Sequence, residues 1–195
     1  MRIISGYFKK KKLLLPDQNI TRPLRDYVKE SIFNFLLHNK NIKFDFHNSN
    51  ILDIFSGSGS FGIECLSRGS AKVFFIEKNI KTLKILTKNI ESINSLDKCE
   101  IINKDILNID FIKLFKDKID LIFLDPPFSK NIINEVVNDI SKLNSINDRC
   151  KIYIEIPSKG NFESSIITPR NWELLKCKKS GGVAYLLFQH NCSMI

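Results

Sequence analysis

Residues 51–62 read Ile-Leu-Asp-Ile-Phe-Ser-Gly-Ser-Gly-Ser-Phe-Gly, and no other stretch of the chain restricts its possible folds as strongly. Five residues suited to a buried strand run into glycines at 57, 59 and 62, and a helix-forming stretch continues to about Arg68. Glycine alternating with small polar residues between a strand and a helix lets the backbone turn sharply. It also lets a ligand approach the main chain without meeting a Cβ. Taken alone, the same loop fits an ordinary strand-to-helix turn. Residues farther along the chain decide between the two.

From Asn50 onward the hydrophobic pattern alternates strand and helix, which implies an α/β fold with a mostly parallel sheet covered on both faces. Strands are predicted at 50–54, 72–77, near 99–102, at 119–124 and at 151–156. Helices are predicted at 60–68, over a segment with Leu83, Leu86 and Ile90 on one face, and at 131–143. The runs 172–178 and 183–189 flank Ser180-Gly181-Gly182, the pattern of an antiparallel hairpin. Seven strands result, the last pair antiparallel.

Ahead of this core, residues 2–15 read as two short strands joined by a lysine-rich turn. Arg2 and Lys9 to Lys12 carry five cations with no acid among them. They form either an arm that grips a phosphate backbone or an edge hairpin that its lysines protect from aggregation. Thr21-Arg22-Pro23 leads into a helix reaching roughly His38, with Val28, Ile32, Phe35 and Leu36 at helical spacing. The expected organisation is one domain over 1–195: a basic arm at 1–20, a helix and an Asn-rich connector at 21–49, and the catalytic core at 50–190.

Composition narrows the function classes. A net charge of +9 and a pI near 9.3 point to an acidic partner, nucleic acid ahead of membrane. Biased composition, with lysines as solvated decoration, accounts for the charge equally well. Five scattered cysteines without a C-x-x-C pair argue against a disulfide framework, and three histidines add no metal-ligand cluster, so no metal is expected. No signal peptide opens the chain and no apolar run is long enough to span a bilayer. The expectation is a cytoplasmic protein with reduced thiols.

Ligands of open α/β sheets sit beyond the carboxyl ends of the strands. The polar residues predicted there are Asp53 with the glycine loop, Glu77, Asp105 and Asp125. Glu77 ends the second strand twenty residues after Gly57, where a carboxylate can accept both hydroxyls of a ribose. Asp105 fits either an adenine amino group or plain turn chemistry. The sharpest signal is Asp125-Pro126-Pro127-Phe128. Two prolines fix the backbone and hold the Asp125 carboxylate and the Pro126 carbonyl outward as acceptors. An exocyclic –NH2 needs two acceptors to aim its lone pair at an electrophilic methyl, and Phe128 would stack on the base.

The block DIFSGSGSFGIE, Glu77 and DPPF together resemble the class I S-adenosylmethionine-dependent methyltransferases that act on amino groups. Nearly the whole chain is similar to one family, the RsmD-type 16S ribosomal RNA guanine-N2 methyltransferases. MRIISGYFKKKKL, TRPLRDYVKESIFNFL, LDIFSGSGSFGIECLSRGSAKVFFIEKN, LIFLDPPF and NWELLKCKKSGGVAYLLFQ carry the similarity. The resemblance implies a Rossmann-like fold and S-adenosylmethionine as cofactor. It implies that Asp53, Gly57 and Gly59 contact the methionine part, that Glu77 holds the ribose, and that Asp105 with Ile106 frames the adenine. Thr21, Arg22 and Pro23 would close over the cofactor end of the site, and Asp125, Pro126, Pro127 and Phe128 would hold the target base.

The reaction implied is methylation of one guanine N2 in 16S rRNA of the small subunit or its precursor, by a monomer. The base must leave its stack to be reached. Candidate phosphate contacts are the lysine arm, Arg22, Arg25 and the region from Lys176 to Lys179. Relatives often carry a small polar residue where Leu24 stands, and mix Gly and Arg where this arm has lysines. Three alternatives remain at the level of sequence. One is a DNA adenine-N6 or other nucleic-acid amino-methyltransferase, and another is a non-enzymatic RNA-binding assembly protein. The third is an NAD-dependent oxidoreductase, because Gly57, Gly59 and Gly62 also satisfy G-x-G-x-x-G.

Overall fold

The computed structural model describes residues 1–16, 26–109, 115–126, 130–157, 168, 171–180 and 182–191. The chain forms two compact units, Met1–Asn103 and Lys104–Ile195. Among the described residues there are seven strands and four α-helices, and no helix is long and apolar enough to cross a membrane.

In the first unit, β1 (Asn50–Ile54), β2 (Lys72–Ile76) and β3 (Cys99–Ile102) are parallel in the order β3-β2-β1. Val73, Phe74, Phe75 and Ile76 are all buried, so consecutive side chains of β2 meet apolar cover on both faces, as a parallel sheet requires. Helix α2 (Ser60–Ser67) comes after β1, and α3 (Ile80–Glu91) after β2. Asn79 starts α3 by accepting hydrogen bonds from the Lys81 and Thr82 amides.

Helix α1 (Asp26–His38) buries Lys29, Ile32, Phe33 and Leu36. Of the face the spacing expected, Ile32 and Leu36 are buried while Val28 and Phe35 are only half-buried; Lys29, paired with the buried Glu64 carboxylate, and Phe33 complete the inward face. Phe33 stacks on Phe61 and packs against Phe46, both at 5.0 Å, with the Arg68 guanidinium over its ring. The Asn-rich connector at 39–49 is therefore more than a spacer, since Ile42, Phe44 and Phe46 are core residues.

Of the pair of strands expected over 2–15, only a short antiparallel contact forms and no full strands. Arg2 and Lys12 make one isolated antiparallel bridge, with Ile3 and Leu13 donating to Lys11 and Met1 carbonyls. The reason is competition for donors: the Ile4 and Ser5 amides go to the Glu64 carboxylate, and the Tyr7 and Phe8 amides go to Ser67.

In the second unit, β4 (Ile119–Leu124), β5 (Ile146–Pro157), β6 (Trp172–Ser180) and β7 (Val183–His190) lie in the order β4-β5-β7-β6. The β4–β5 pair is parallel; β6 and β7 are antiparallel, as the Gly-Gly turn predicted, and β7 is also antiparallel to β5. Strand β5 begins earlier than expected, because a register shift opposite Ile119 and Leu121 lets it continue past Arg149, at φ 65°. Helix α4 (Lys130–Ile140) buries Ile133, Val136, Val137 and Ile140, spaced to form one stripe.

Candidate active site

The site in the first unit is built where β1 and β2 end. Ile54 closes β1, and Phe55, Gly57 and Gly59 all take positive φ before α2 begins. For a bulky residue such as Phe55, φ of 61° stores strain on the order of 1–3 kcal/mol. Gly59 has a steric as well as a conformational reason to be glycine, because a Cβ there would lie 2.3 Å from Leu86 Cδ1. The Ser56 amide donates to the Ile76 carbonyl, tying the loop to the end of β2.

Two carboxylates give the loop its shape. Asp53 is 1% exposed and accepts from the Gly62 amide at 3.0 Å, in the first turn of α2. A negative charge is favoured at that end of a helix, where the amides point outward. Glu77 is 8% exposed; one oxygen accepts from the Gly57 amide at 3.0 Å and the other from the Asn79 amide at 2.7 Å. A carboxylate offers about four acceptor sites, so Glu77 can hold the loop and still accept from ligand hydroxyls. Asn103 in turn donates to the Glu77 and Lys78 carbonyls, fixing the segment that presents the carboxylate. The Ser60 hydroxyl, at the start of α2, is buried and has no hydrogen-bond partner among the described residues. A buried unpaired hydroxyl is costly and fits a polar ligand group. This loop can therefore receive a hydroxylated ligand whose polar groups meet Glu77 and Ser60.

In the second unit, Asp105 caps the short 3-10 turn at Ile106–Asn108 by accepting from the Leu107 amide at 3.3 Å, and Ile106 is 3% exposed. Asp125 stands half-buried at the end of β4, and Pro126 is buried beside it. The Tyr153 phenol, between Phe123 and Tyr185, is pushed well above its usual range, chiefly by burial, with Glu155, Tyr185 and Asp125 adding negative charge. Pro127, Phe128, Thr21, Arg22, Pro23 and Arg25 lie outside the described residues. Lys176, Lys178 and Lys179 are exposed on β6.

Glu64, Lys29 and Asn89 of the first unit carry weight for which the sequence reading gave no role. Glu64 and Lys29 form a buried ion pair at 3.4 Å, joined by Arg68 at 3.0 Å. Asn89 accepts from the Leu14 amide at 2.8 Å and donates to the carbonyls of Leu14, at 3.1 Å, and Ser58, at 2.9 Å. One amide group thus links the N-terminal arm to the glycine loop. Its only trace in the sequence is a polar residue on the buried face of α3.

The strand pairing and the loop with its acidic partner define the class: a Rossmann-like α/β protein of the methyltransferase type. A solved putative methyltransferase from Escherichia coli is 29% identical, with a TM-score of 0.81 over 99% of both chains. A putative methylase from Haemophilus influenzae is 33% identical, with a TM-score of 0.76 over 97% of this chain and 98% of that one. The family model described as "Conserved hypothetical protein 95" matches residues 1–189, and the chain belongs to that family. Its relatives include "Ribosomal RNA small subunit methyltransferase D" of Haemophilus influenzae, 36% identical over 97% of this chain and 94% of the relative. The protein of the same name in Escherichia coli K12 is 31% identical over 97% and 89%.

Proposed function

We propose that the protein methylates the exocyclic N2 of a guanine in 16S rRNA of the small ribosomal subunit or its precursor, using S-adenosylmethionine. The observation that carries this reading is Glu77, whose carboxylate at the end of β2 closes the glycine loop through Gly57. The family's relatives bear the name of a ribosomal RNA small subunit methyltransferase over nearly the full length of the chain, which supports an rRNA substrate. We assign the protein to the cytoplasm, acting as a monomer.

The residues fit that cofactor. Glu77 retains acceptor capacity for a ribose diol, and the buried Ser60 hydroxyl waits for a polar partner. Asp53 holds α2 and the loop in place for the methionine end, with Gly57 and Gly59 allowing close backbone approach. Asp105 and Ile106 frame the adenine in this reading, and Thr21, Arg22 and Pro23 cover the site. When bound, S-adenosylmethionine supplies an electrophilic methyl group.

The work of this chain is positioning and proton handling. The Asp125 carboxylate and the Pro126 carbonyl accept hydrogen bonds from the two N–H groups of the target amine, which directs its lone pair. Phe128 stacks on the base, and Pro127 keeps the segment rigid. The proton released on methylation passes to Asp125 or to water. Placing amine and methyl in line lowers the barrier by orientation, and Asp125 adds electrostatic stabilisation.

The test uses small-subunit assembly particles from cells lacking the protein, a labelled methyl donor, and nucleoside analysis of the product. The wild-type protein is expected to restore one N2-methylguanine, and Asp125→Ala to lower kcat on the order of a hundredfold or more. Full activity of Asp125→Ala would overturn the assignment. So would methylation of duplex DNA in place of the particle, or calorimetry showing NAD binding without S-adenosylhomocysteine binding.

A further inference from the structure

An open cleft of about 320 Å³ lies in the first unit, lined by Phe8, Lys9, Lys11, Ser92, Ile93 and Asn94. It shares none of the residues of the glycine loop. Its walls are the turn of the N-terminal arm and the segment just beyond α3, and the turn is rigidly held. The Ile4 and Ser5 amides donate to Glu64 at 2.8 and 2.9 Å, the Tyr7 amide to the Ser67 carbonyl at 2.7 Å, and the Phe8 amide to the Ser67 hydroxyl at 3.0 Å. Gly6, at φ 81°, approaches α2 so closely that a Cβ would sit 1.8 Å from the Ser67 carbonyl oxygen. Asn89 clamps the far side of the arm at Leu14. The entropy of ordering this arm is spent in folding, so a ligand need not supply it.

The groups facing the cleft are chemically specific. Lys9 and Lys11 are exposed, as are Lys10 and Lys12, and none of the four has an ion-pair partner among the described residues. Phe8 offers an aromatic ring anchored by its own backbone, and Tyr7 beside it is 82% exposed. The Asn94 side-chain amide, both donor and acceptor, has no partner among the described residues, and the Ser92 hydroxyl donates to the Asn89 carbonyl while its acceptor capacity stays open. A ring to stack on, an amide to read an edge and two cations for flanking phosphates match one nucleotide of an unpaired strand. An acidic peptide would use the lysines alike but would have no need of Phe8.

We propose that this cleft is a second nucleotide-binding site, in which an unpaired ribonucleotide of the substrate RNA stacks on Phe8 with its phosphates on Lys9 and Lys11. The proposal rests on the reading of the protein as an RNA methyltransferase and names part of its substrate grip.

The test is fluorescence anisotropy of a labelled octa-adenylate RNA against the full chain, with methylation of the assembly particle and calorimetry of S-adenosylhomocysteine in parallel. Phe8→Leu is expected to weaken RNA binding roughly five- to a hundredfold, with Phe8→Tyr restoring it. The Lys9→Ala/Lys11→Ala pair is expected to weaken it and to flatten the slope of log Kd on log salt by about 1.4, at about 0.7 per lost phosphate contact. In both variants KM for the particle rises while kcat and S-adenosylhomocysteine affinity stay as in the wild type.

The charge control is Lys40→Ala, in the exposed turn after α1. Cleft variants that bind like this control, in a wild type that methylates its RNA, overturn the cleft and leave the parent reading standing. Sensitivity at the lysines with none at Phe8 shows a general acidic-chain surface and also overturns it. A wild type that neither binds nor methylates RNA removes the parent reading and the cleft together. Should Phe8→Leu fail to fold, photo-cross-linking of an iodouridine strand decides: adducts at Tyr7 or Phe8 support the site, and adducts elsewhere alone reject it.

Discussion

Glu64 closes the block DIFSGSGSFGIE, yet its role is to organise the arm and α1 rather than to meet a ligand. It is fully buried, yet it accepts from the Ile4 and Ser5 amides and from Arg68, and faces Lys29 at 3.4 Å. Lys29 also donates to the Arg2 carbonyl at 2.7 Å. Burial lowers the Lys29 pKa, and the Glu64 charge opposes that shift. Such a pair gives little net stability as a unit, but removing one member leaves a buried charge exposed to a poor environment. Lys29→Met should therefore cost about 3 kcal/mol by urea unfolding, and Lys29→Met/Glu64→Gln should recover part of that loss. Equal stability of Lys29→Met and wild type would contradict this role for the pair.

At the scale of elements, periodicity marked where helices and strands lie but only packing decided which face is inward. Leu86 and Ile90 are buried on α3, and Ile32 and Leu36 on α1, as the spacing required, whereas Lys29 and Phe33 are buried on α1 where it gave no sign. Phe33 shows the consequence, because its ring contacts Phe46 of the connector and both Phe61 and Arg68 of α2 and its C-terminal cap. Phe33→Ala should destabilise the protein by about 3–5 kcal/mol in urea unfolding, through lost burial and the cavity left behind. A cost below about 1 kcal/mol would mean that the cluster collapses to fill the space. The N-terminal arm makes the same point from the other side. It read as two short strands around a lysine-rich turn, but side chains of α2 and α3 captured donors that a longer ladder needs.

At the scale of the whole molecule, buried acids set the alkaline limit. Burial raises the Cys65 and Cys150 thiols well above 9.0, Cys99 from 9.0 to about 12, and the Tyr153 phenol well above 10.0. The unfolded chain releases those protons first, so this stability is complete below pH 9 and is lost as pH climbs toward 12. Lys29 and Lys151, lowered by burial, work in the opposite sense below pH 10.5. The acids outnumber them, and unfolding free energy should fall by roughly 1–3 kcal/mol per pH unit around pH 10. Urea titrations at pH 8 and 10.5 check this, and equal midpoints would count against it. The sequence by itself determined the seven strands, the glycine loop with Asp53 and Glu77, and the Gly-Gly hairpin, because strand period, glycine placement and turn chemistry act over a few residues. Only the tertiary structure decided that Glu77 closes the loop through Gly57, that Asn89 ties the loop to the arm, and that Glu64 draws the arm away from a longer ladder. Those outcomes depend on buried polar groups choosing partners 20 to 75 residues away, and pairing over such separations leaves no period in a sequence.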